Sequence, residues 1–289
     1  MQYEGTIIRP PSEAFSLILQ VAVGCSYNKC TFCGAYKDKR FRVKSVEEIK
    51  KDLDFAAQYC TSQTRVFLAD GDALILPQKK LIDMLLGIRT HLPKAKRVSL
   101  YANARAIRSK TVAELVDLKK LGLDRVYMGL ESGSDEVLKR VAKGETAETM
   151  IEAAKKVNES GLFLSVTTLL GLGGRELSEV HARESAETLN RMAPKQIAAL
   201  TLMPLPDTEL GRQYADGRFH LPDQRGILSE LQLLVSLLTL DRAMLHANHA
   251  SNYLPIEGIL QKDKQKILVA IDSALAGSVN LVPEYMRAL

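Results

Sequence analysis

Short apolar runs alternate along this chain with longer stretches in which apolar residues recur every three or four positions. Residues 17–23, 65–69, 97–101, 125–130, 162–170 and 196–203 are rich in Val, Leu and Ile and read as six strands. Their nearly continuous apolar character marks strands buried on both faces, as in a parallel sheet with helical crossovers. The intervening stretches carry helix starts. Ser45-Val46-Glu47-Glu48 is a capping box that opens an amphipathic helix through Tyr59. Pro77 opens a second helix, to about Thr90, since proline suits the first turn. Thr111-Val112-Ala113-Glu114 caps a third, which stops near Gly122, and further helices are expected over 135–141, 147–158 and 178–192. Six βα units are too few for a closed eight-stranded barrel. They predict an α/β fold, a partial (β/α)6 TIM-type barrel.

After Met203-Pro204-Leu205-Pro206 the rhythm breaks. Residues 227–247 follow a long helical pattern, and 263–275 another. The expected organisation is therefore a barrel core over 1–215 and a helical C-terminal extension over 216–289, too short to stand alone. The stripe Leu228, Leu231, Leu234, Leu237 and Leu238 needs a partner surface to bury it.

Composition narrows the class. Of the 289 residues, 46% are hydrophobic and 25% charged, as in an ordinary soluble globular protein. No apolar run approaches the ~20 residues of a membrane span. The first residues include Glu4 and Pro10-Pro11, which do not suit a signal peptide, so a cytoplasmic location without membrane association is expected. The net charge of +5 permits an anionic substrate without pointing to nucleic acid. The densest basic stretch, 37–44, is either a solvated loop or a hold for anionic groups.

Polar or glycine-containing segments follow each strand, where parallel α/β barrels collect their chemistry. The first holds three cysteines, Cys25, Cys30 and Cys33, spaced C-x4-C-x2-C. Three thiolates satisfy three irons of a four-iron, four-sulfur cluster and leave the fourth open to a substrate or cofactor. A structural zinc site wants four closed ligands, and the other cysteine, Cys60, lies 27 residues past Cys33 at a helix end. Disulfides do not suit four cysteines in a chain with no recognisable leader. Buried, inert thiols remain the alternative for any one of them.

The cysteine loop together with the segments behind it resembles the radical S-adenosylmethionine (SAM) superfamily, near its coproporphyrinogen-dehydrogenase-like and elongator-like branches, over roughly residues 15 to 210. The superfamily spacing is C-x3-C-x2-C, so this loop carries one extra residue. The resemblance implies a [4Fe-4S] cluster on the three cysteines, with SAM at the open iron. It assigns Phe32 to the adenine of SAM. Asp70-Gly71-Asp72 takes the place of a segment that receives the SAM amino group, here without the double glycine. Asn103 and Arg105 are turn residues or contacts to the SAM carboxylate or substrate. Glu131, with Ser132 beside it, resembles an acid that contacts SAM, and Lys143 stands where an arginine often binds the methionine carboxylate. Leu170 and Gly171, opening Leu170-Gly171-Leu172-Gly173-Gly174, match a segment lining the adenine.

The activity so implied is reductive cleavage of SAM to a 5′-deoxyadenosyl radical that abstracts hydrogen from a substrate. An external one-electron donor of flavodoxin or ferredoxin type is implied, since the chain has no second cysteine cluster. A small anionic or tetrapyrrole-like substrate is expected ahead of RNA. No built-in cobalamin domain is expected, with 24 residues ahead of Cys25. A non-catalytic iron–sulfur carrier or scaffold is the competing class. His246 and His249, three apart in a predicted helix end, are either substrate contacts or polar turn residues.

Overall fold

The apolar runs become strands in which most residues are buried, fully so along Val66–Ala69. A computed structural model describes the whole chain, Met1–Leu289, as two compact units. Met1–Asn28, Ala35–Met128 and Lys155–Leu164 make the first, and Lys29–Gly34, Gly129–Ala154 and Ser165–Leu289 the second.

In the first unit, β1 (Leu17–Gln20) leads to a short β2 (Ala22–Val23) that pairs antiparallel with β3 (Arg42–Val43). Then follow α1 (Val46–Tyr59), β4 (Arg65–Ala69), α2 (Gln78–His91), β5 (Arg97–Tyr101), α3 (Ala104–Arg108), α4 (Val112–Lys120) and β6 (Leu123–Glu131). Strands β1, β4, β5 and β6 lie in that order and all parallel, with Ile18 against Phe67, Phe67 against Ser99 and Leu100 against Val126. Val66, Phe67, Leu68 and Ala69 are wholly buried, which places β4 inside the sheet. Both capping boxes form. Ser45 Oγ accepts from Glu48 N and the Glu48 carboxylate from Ser45 N, and Thr111 and Glu114 repeat the exchange. The short α3 was not predicted; Asn103 caps it by accepting from Ala106 N at 2.8 Å.

The second unit contains the tail of β6, then α5 (Asp135–Arg140), most of α6 (Ala147–Glu159), most of β7 (Phe163–Leu170), α7 (Gly174–Met192), β8 (Gln196–Thr201) and α8 (Glu209–Ala215). It continues through α9 (Gln224–Leu237), β9 (Met244–Ala247), β10 (Ile256–Ile259) and α10 (Lys264–Leu275). Strands β7, β8 and β9 run parallel, and β10 closes against β9 antiparallel.

The C-terminal extension is therefore not purely helical. The single helix expected over 227–247 ends at Leu237, where the Asn190 amide donates to the Leu237 carbonyl at 3.0 Å and accepts from Thr239 N at 2.8 Å. Beyond it, Leu245 and Ala247 are buried while Met244 and His246 are half-buried, a period of two that joins β8 as a strand. Of the expected leucine stripe, Leu228, Leu231 and Leu234 of α9 and Leu238 just past its end are buried, while Leu237 is half-buried.

One buried acid organises the first unit. Glu13 Oε1 accepts from the Tyr127 hydroxyl at 2.7 Å, Arg97 Nη2 at 2.9 Å and Ser99 Oγ at 3.0 Å. Burial pushes this carboxyl up, but hydrogen bonds from Ser16, Tyr127 and Arg97 outweigh it and leave it below the usual carboxylate range. Glu13→Ala strands these donors and should cost roughly 3–5 kcal/mol in urea unfolding. A carboxyl held low in the fold stabilises above its unfolded value and loses that contribution as pH falls through the folded value. The stability gap between wild type and Glu13→Gln should thus be full at neutral pH and shrink below a pH of about 4.3. A gap independent of pH would show that folding leaves the Glu13 carboxyl unshifted, and a gap that widens as pH falls would show that Glu13 folds uncharged.

Candidate functional site

Within the first unit the seat of Cys25 is built from the ends of β2, β4 and β5. Gly24 turns with φ +81°, and its N–H donates to Asp70 Oδ2 at 3.1 Å, which also accepts from Gln20 Nε2 at 3.0 Å. Asp72 is fully buried. It accepts from Ser26 Oγ, from Asn103 N at 3.2 Å and from Asn103 Nδ2 at 2.7 Å. Burial pushes Asp72 up to about 6 against these hydrogen bonds, and burial likewise raises Asp70. Gly71 is required sterically, since a Cβ there would lie 2.8 Å from the Tyr36 ring and 3.0 Å from Cys25 Cβ.

Four predicted residues, Asp70, Gly71, Asp72 and Asn103, thus come together beside Cys25, but in a different part from the one expected. Both Asp72 oxygens are taken by Ser26 and Asn103, and the Asn103 side chain is spent on Asp72, Ser26 and the α3 cap. They fix the loop rather than present open acceptors. Arg105 is exposed on α3, its guanidinium 5.6 Å from the Tyr27 ring centre. Gln20 and Ser26 were missed; a glutamine inside an apolar strand was the available signal.

Within the second unit, the segment carrying Cys30 and Cys33 is laced to two helices. Thr31 N donates to the Val141 carbonyl at 3.0 Å, and Leu210 N to the Thr31 carbonyl at 2.9 Å. Phe32 packs on Val137, Val141, Leu172, Leu202 and Leu210. Glu131 adopts a left-handed φ of +63° and accepts from Lys143 Nζ at 2.9 Å, the two side chains 15% and 14% exposed. Burial disfavours the Lys143 ammonium, but Glu131, Cys30 and Cys33 outweigh it and raise its pKa. The cation therefore stands within electrostatic reach of both sulfurs. Gly129 leaves room for this pair, since a Cβ there would meet Glu131 Oε1 at 2.1 Å and Lys143 Nζ at 3.1 Å.

Ser132 departs from its expected role. It is buried, its hydroxyl 2.7 Å from His181 Nδ1 and accepting from Ser134 N at 3.0 Å. Leu170 is buried, and Gly171 turns with φ +83°, its N–H given to Glu230 Oε1 at 2.6 Å. His181 and Glu230 were missed; each is a polar residue on the buried face of its helix, α7 and α9.

The two C-terminal histidines are not on a helix. His246 lies in β9, in register with Ala198 and Glu257. His249 follows in a turn whose Ser251 N–H donates to His249 Nδ1 at 3.1 Å. That turn is tied to the end of β8 by Thr201 N to Ser251 Oγ at 3.2 Å and Thr201 Oγ1 to Asn252 Oδ1 at 2.8 Å. Burial lowers the His249 pKa, favouring the neutral imidazole, and because Nδ1 accepts from Ser251 N the proton of that form sits on Nε2. Cys60 caps the end of α1, and none of the four cysteines forms a disulfide.

Similarity to known proteins fits this geometry. The chain is 30% identical over 169 residues to the 4′-phospho-dehydrooxetanocin synthase of Priestia megaterium, covering 52% of this chain and 23% of that protein. It is 25% identical over 172 residues to the heme chaperone HemW of Escherichia coli, covering 56% and 45% respectively. The chain thus spans less than half the length of these curated relatives. Among solved structures it resembles the coproporphyrinogen III oxidase HemN of Escherichia coli, with TM-score 0.58, 17% identity and 78% and 52% of the two chains covered. It also resembles methylornithine synthase PylB, with TM-score 0.55, 15% identity and 89% and 68% covered. These likenesses show the α/β fold of the class expected from the sequence. A family model described as the radical SAM superfamily matches residues 19–187, from within β1 to within α7, and on that match the chain belongs to the radical SAM superfamily.

Proposed function

We propose that this chain is a radical SAM enzyme whose Cys25, Cys30 and Cys33 hold a [4Fe-4S] cluster and whose substrate is a small anionic molecule. The observation that carries the reading is the half-buried Lys143–Glu131 pair, whose ammonium lies within electrostatic reach of Cys30 and Cys33. An ammonium beside two thiols favours their thiolate form, the form that binds iron. The pair also offers one cation and one anion at 2.9 Å, a match for the carboxylate and amino group of a methionine moiety that exchanges partners with them. When bound, the cluster and SAM together supply a one-electron cleavage that yields a 5′-deoxyadenosyl radical for hydrogen abstraction.

The rest of the chain positions and shields. Asp70, Gly71, Asp72 and Asn103 hold the Cys25 loop. Phe32, Leu170 and Gly171 supply apolar surface and close backbone approach for the adenine. Arg105 is left as an exposed cation for substrate or donor. His249, with a proton on Nε2 and its turn fixed to the C-terminal end of β8, is the candidate hydrogen-bond donor to substrate. An external donor of flavodoxin or ferredoxin type supplies the electron. Two relatives named for phosphorylated compounds, 4′-phospho-dehydrooxetanocin synthase and GTP 3′,8-cyclase, and the net charge of +5 support an anionic substrate. A heme chaperone among the relatives keeps a tetrapyrrole within that class. No helix is long and apolar enough to cross a membrane, in keeping with a cytoplasmic enzyme.

Anaerobic reconstitution with iron, sulfide, SAM and dithionite tests the reading. 5′-Deoxyadenosine and methionine should accumulate; a stable iron–sulfur protein that leaves SAM intact would make it a carrier. Alanine at Cys25, Cys30 or Cys33 should abolish the brown visible absorbance, while Cys60→Ala keeps it.

Two carboxylates should separate by role. Glu131→Gln should keep the cluster and weaken SAM binding roughly tenfold, the size of a lost charged hydrogen bond. Asp72→Ala should instead lower cluster occupancy, because it releases Ser26 and Asn103. Intact iron content in Asp72→Ala would reject the loop-holding role.

A further inference from the structure

The second unit contains a buried polar chain that the cofactor assignments leave unused. It begins on α9. Glu230 is buried, with one carboxylate oxygen on the Gly171 N–H at 2.6 Å and the other accepting from the Ser178 hydroxyl. Glu230 Oε1 lies 3.5 Å from His181 Nε2, and His181 Nδ1 lies 2.7 Å from Ser132 Oγ. Ser132 Oγ accepts from Ser134 N at 3.0 Å, and Gly133 N donates to Ser185 Oγ of α7 at 2.9 Å. The chain therefore runs from the turn after β7, through α9 and α7, to the turn after β6. Those two turns carry Gly171 on one side and Glu131 on the other.

We propose that Glu230 is a positioning residue for the SAM site, fixing the Gly171 turn directly and the Glu131–Ser134 turn through α7, whose Ser178 it holds and whose His181 and Ser185 hold Ser132 and Gly133. The proposal rests on the reading above, in which both turns face SAM. None of the three side chains is available for proton transfer to a substrate, since Glu230, His181 and Ser132 are all buried. A buried polar chain of this kind is retained only when its members are hydrogen-bonded, and each bond here ends on one of the two turns or on the helix between them. Burial holds His181 down to about 4 and lifts Glu230 to about 7. His181 is therefore neutral at pH 7, and the contact at 3.5 Å is no strong ion pair. The carboxylate has another use, as the acceptor for a backbone N–H that the left-handed Gly171 turn points inward.

The geometry accounts for the glycine at position 171. Gly171 has φ +83°, and a Cβ there would meet Ile227 Cδ1 of α9 at 2.7 Å. The turn is thus pressed onto α9, the helix that supplies Glu230. α9 therefore sets the cofactor turn as well as covering apolar surface.

The test uses the anaerobically reconstituted holoenzyme and its Glu230→Gln, Ser132→Ala and double variants. Glu230→Gln is expected to keep the cluster absorbance, raise the SAM dissociation constant about 5–10-fold and raise KM for SAM more than it lowers kcat for 5′-deoxyadenosine. Because both residues act through α7, the double variant should bind SAM no more than about twofold worse than the weaker single variant, not by the product of the two effects. A second arm needs no SAM: amide hydrogen exchange in Glu230→Gln should speed up at both 131–134 and 171–178. SAM affinity at the wild-type level with exchange unchanged at 131–134 would overturn the proposal. So would failure of Glu230→Gln to fold while His181→Asn and Ser178→Ala fold and bind SAM normally, for Glu230 would then be a core strut. Failure of the wild-type enzyme to bind SAM would remove the cofactor reading, while the exchange arm would still decide whether Glu230 orders both turns.

Discussion

A carboxylate taken out of water must find donors, and in this chain the donors are the backbone and hydroxyl groups of the loops at strand ends. Asp70 takes the Gly24 N–H, Asp72 takes Ser26 and Asn103, and Glu230 takes the Gly171 N–H. Loops have no ladder of their own to fix them, so without such acceptors their N–H groups would turn to solvent. Burying an acid costs free energy, visible in the raised values of Asp72 and Glu230. The hydrogen bonds to those acids offset that cost only while the loops stay in one conformation. The acids thereby convert burial into loop order.

The parallel sheets determine where those loops emerge. In the first unit β1, β4 and β5 point the same way, so Asp70–Asp72 and Asn103 leave at one edge. In the second, β7, β8 and β9 do the same, so the Gly171 turn and the His249 turn leave at one edge. Lys143 comes from a loop between α5 and α6, and Glu131 meets it because Gly129 has no side chain in the way. Small residues and left-handed turns here provide the close approach that a charged pair next to two sulfurs needs.

Much of this was legible in the sequence. The strands 65–69 and 97–101 and the helix starts at Ser45 and Thr111 follow local rules, apolar runs and capping boxes, and the fold repeats them. The cysteine loop and the acids at strand ends were visible as candidates for the same reason. What escaped depends on residues far apart in sequence. The end of α9 is determined by Asn190, more than forty positions upstream. The short α3 and α8 hang on single caps, Asn103 and Thr208, with too few residues for a period. Ser132 looked like a cofactor contact because its place after a strand is visible, whereas His181, which takes its hydroxyl, lies 49 residues on.

The account stands or falls on an iron that the protein leaves open to SAM. Electron paramagnetic resonance of the anaerobically reconstituted, dithionite-reduced protein, recorded with and without SAM, tests this most directly. The account predicts a reduced four-iron signal whose g-values shift on adding SAM, because the cofactor ligates the cluster. An unshifted signal at saturating SAM, or iron at one atom per chain, would contradict it.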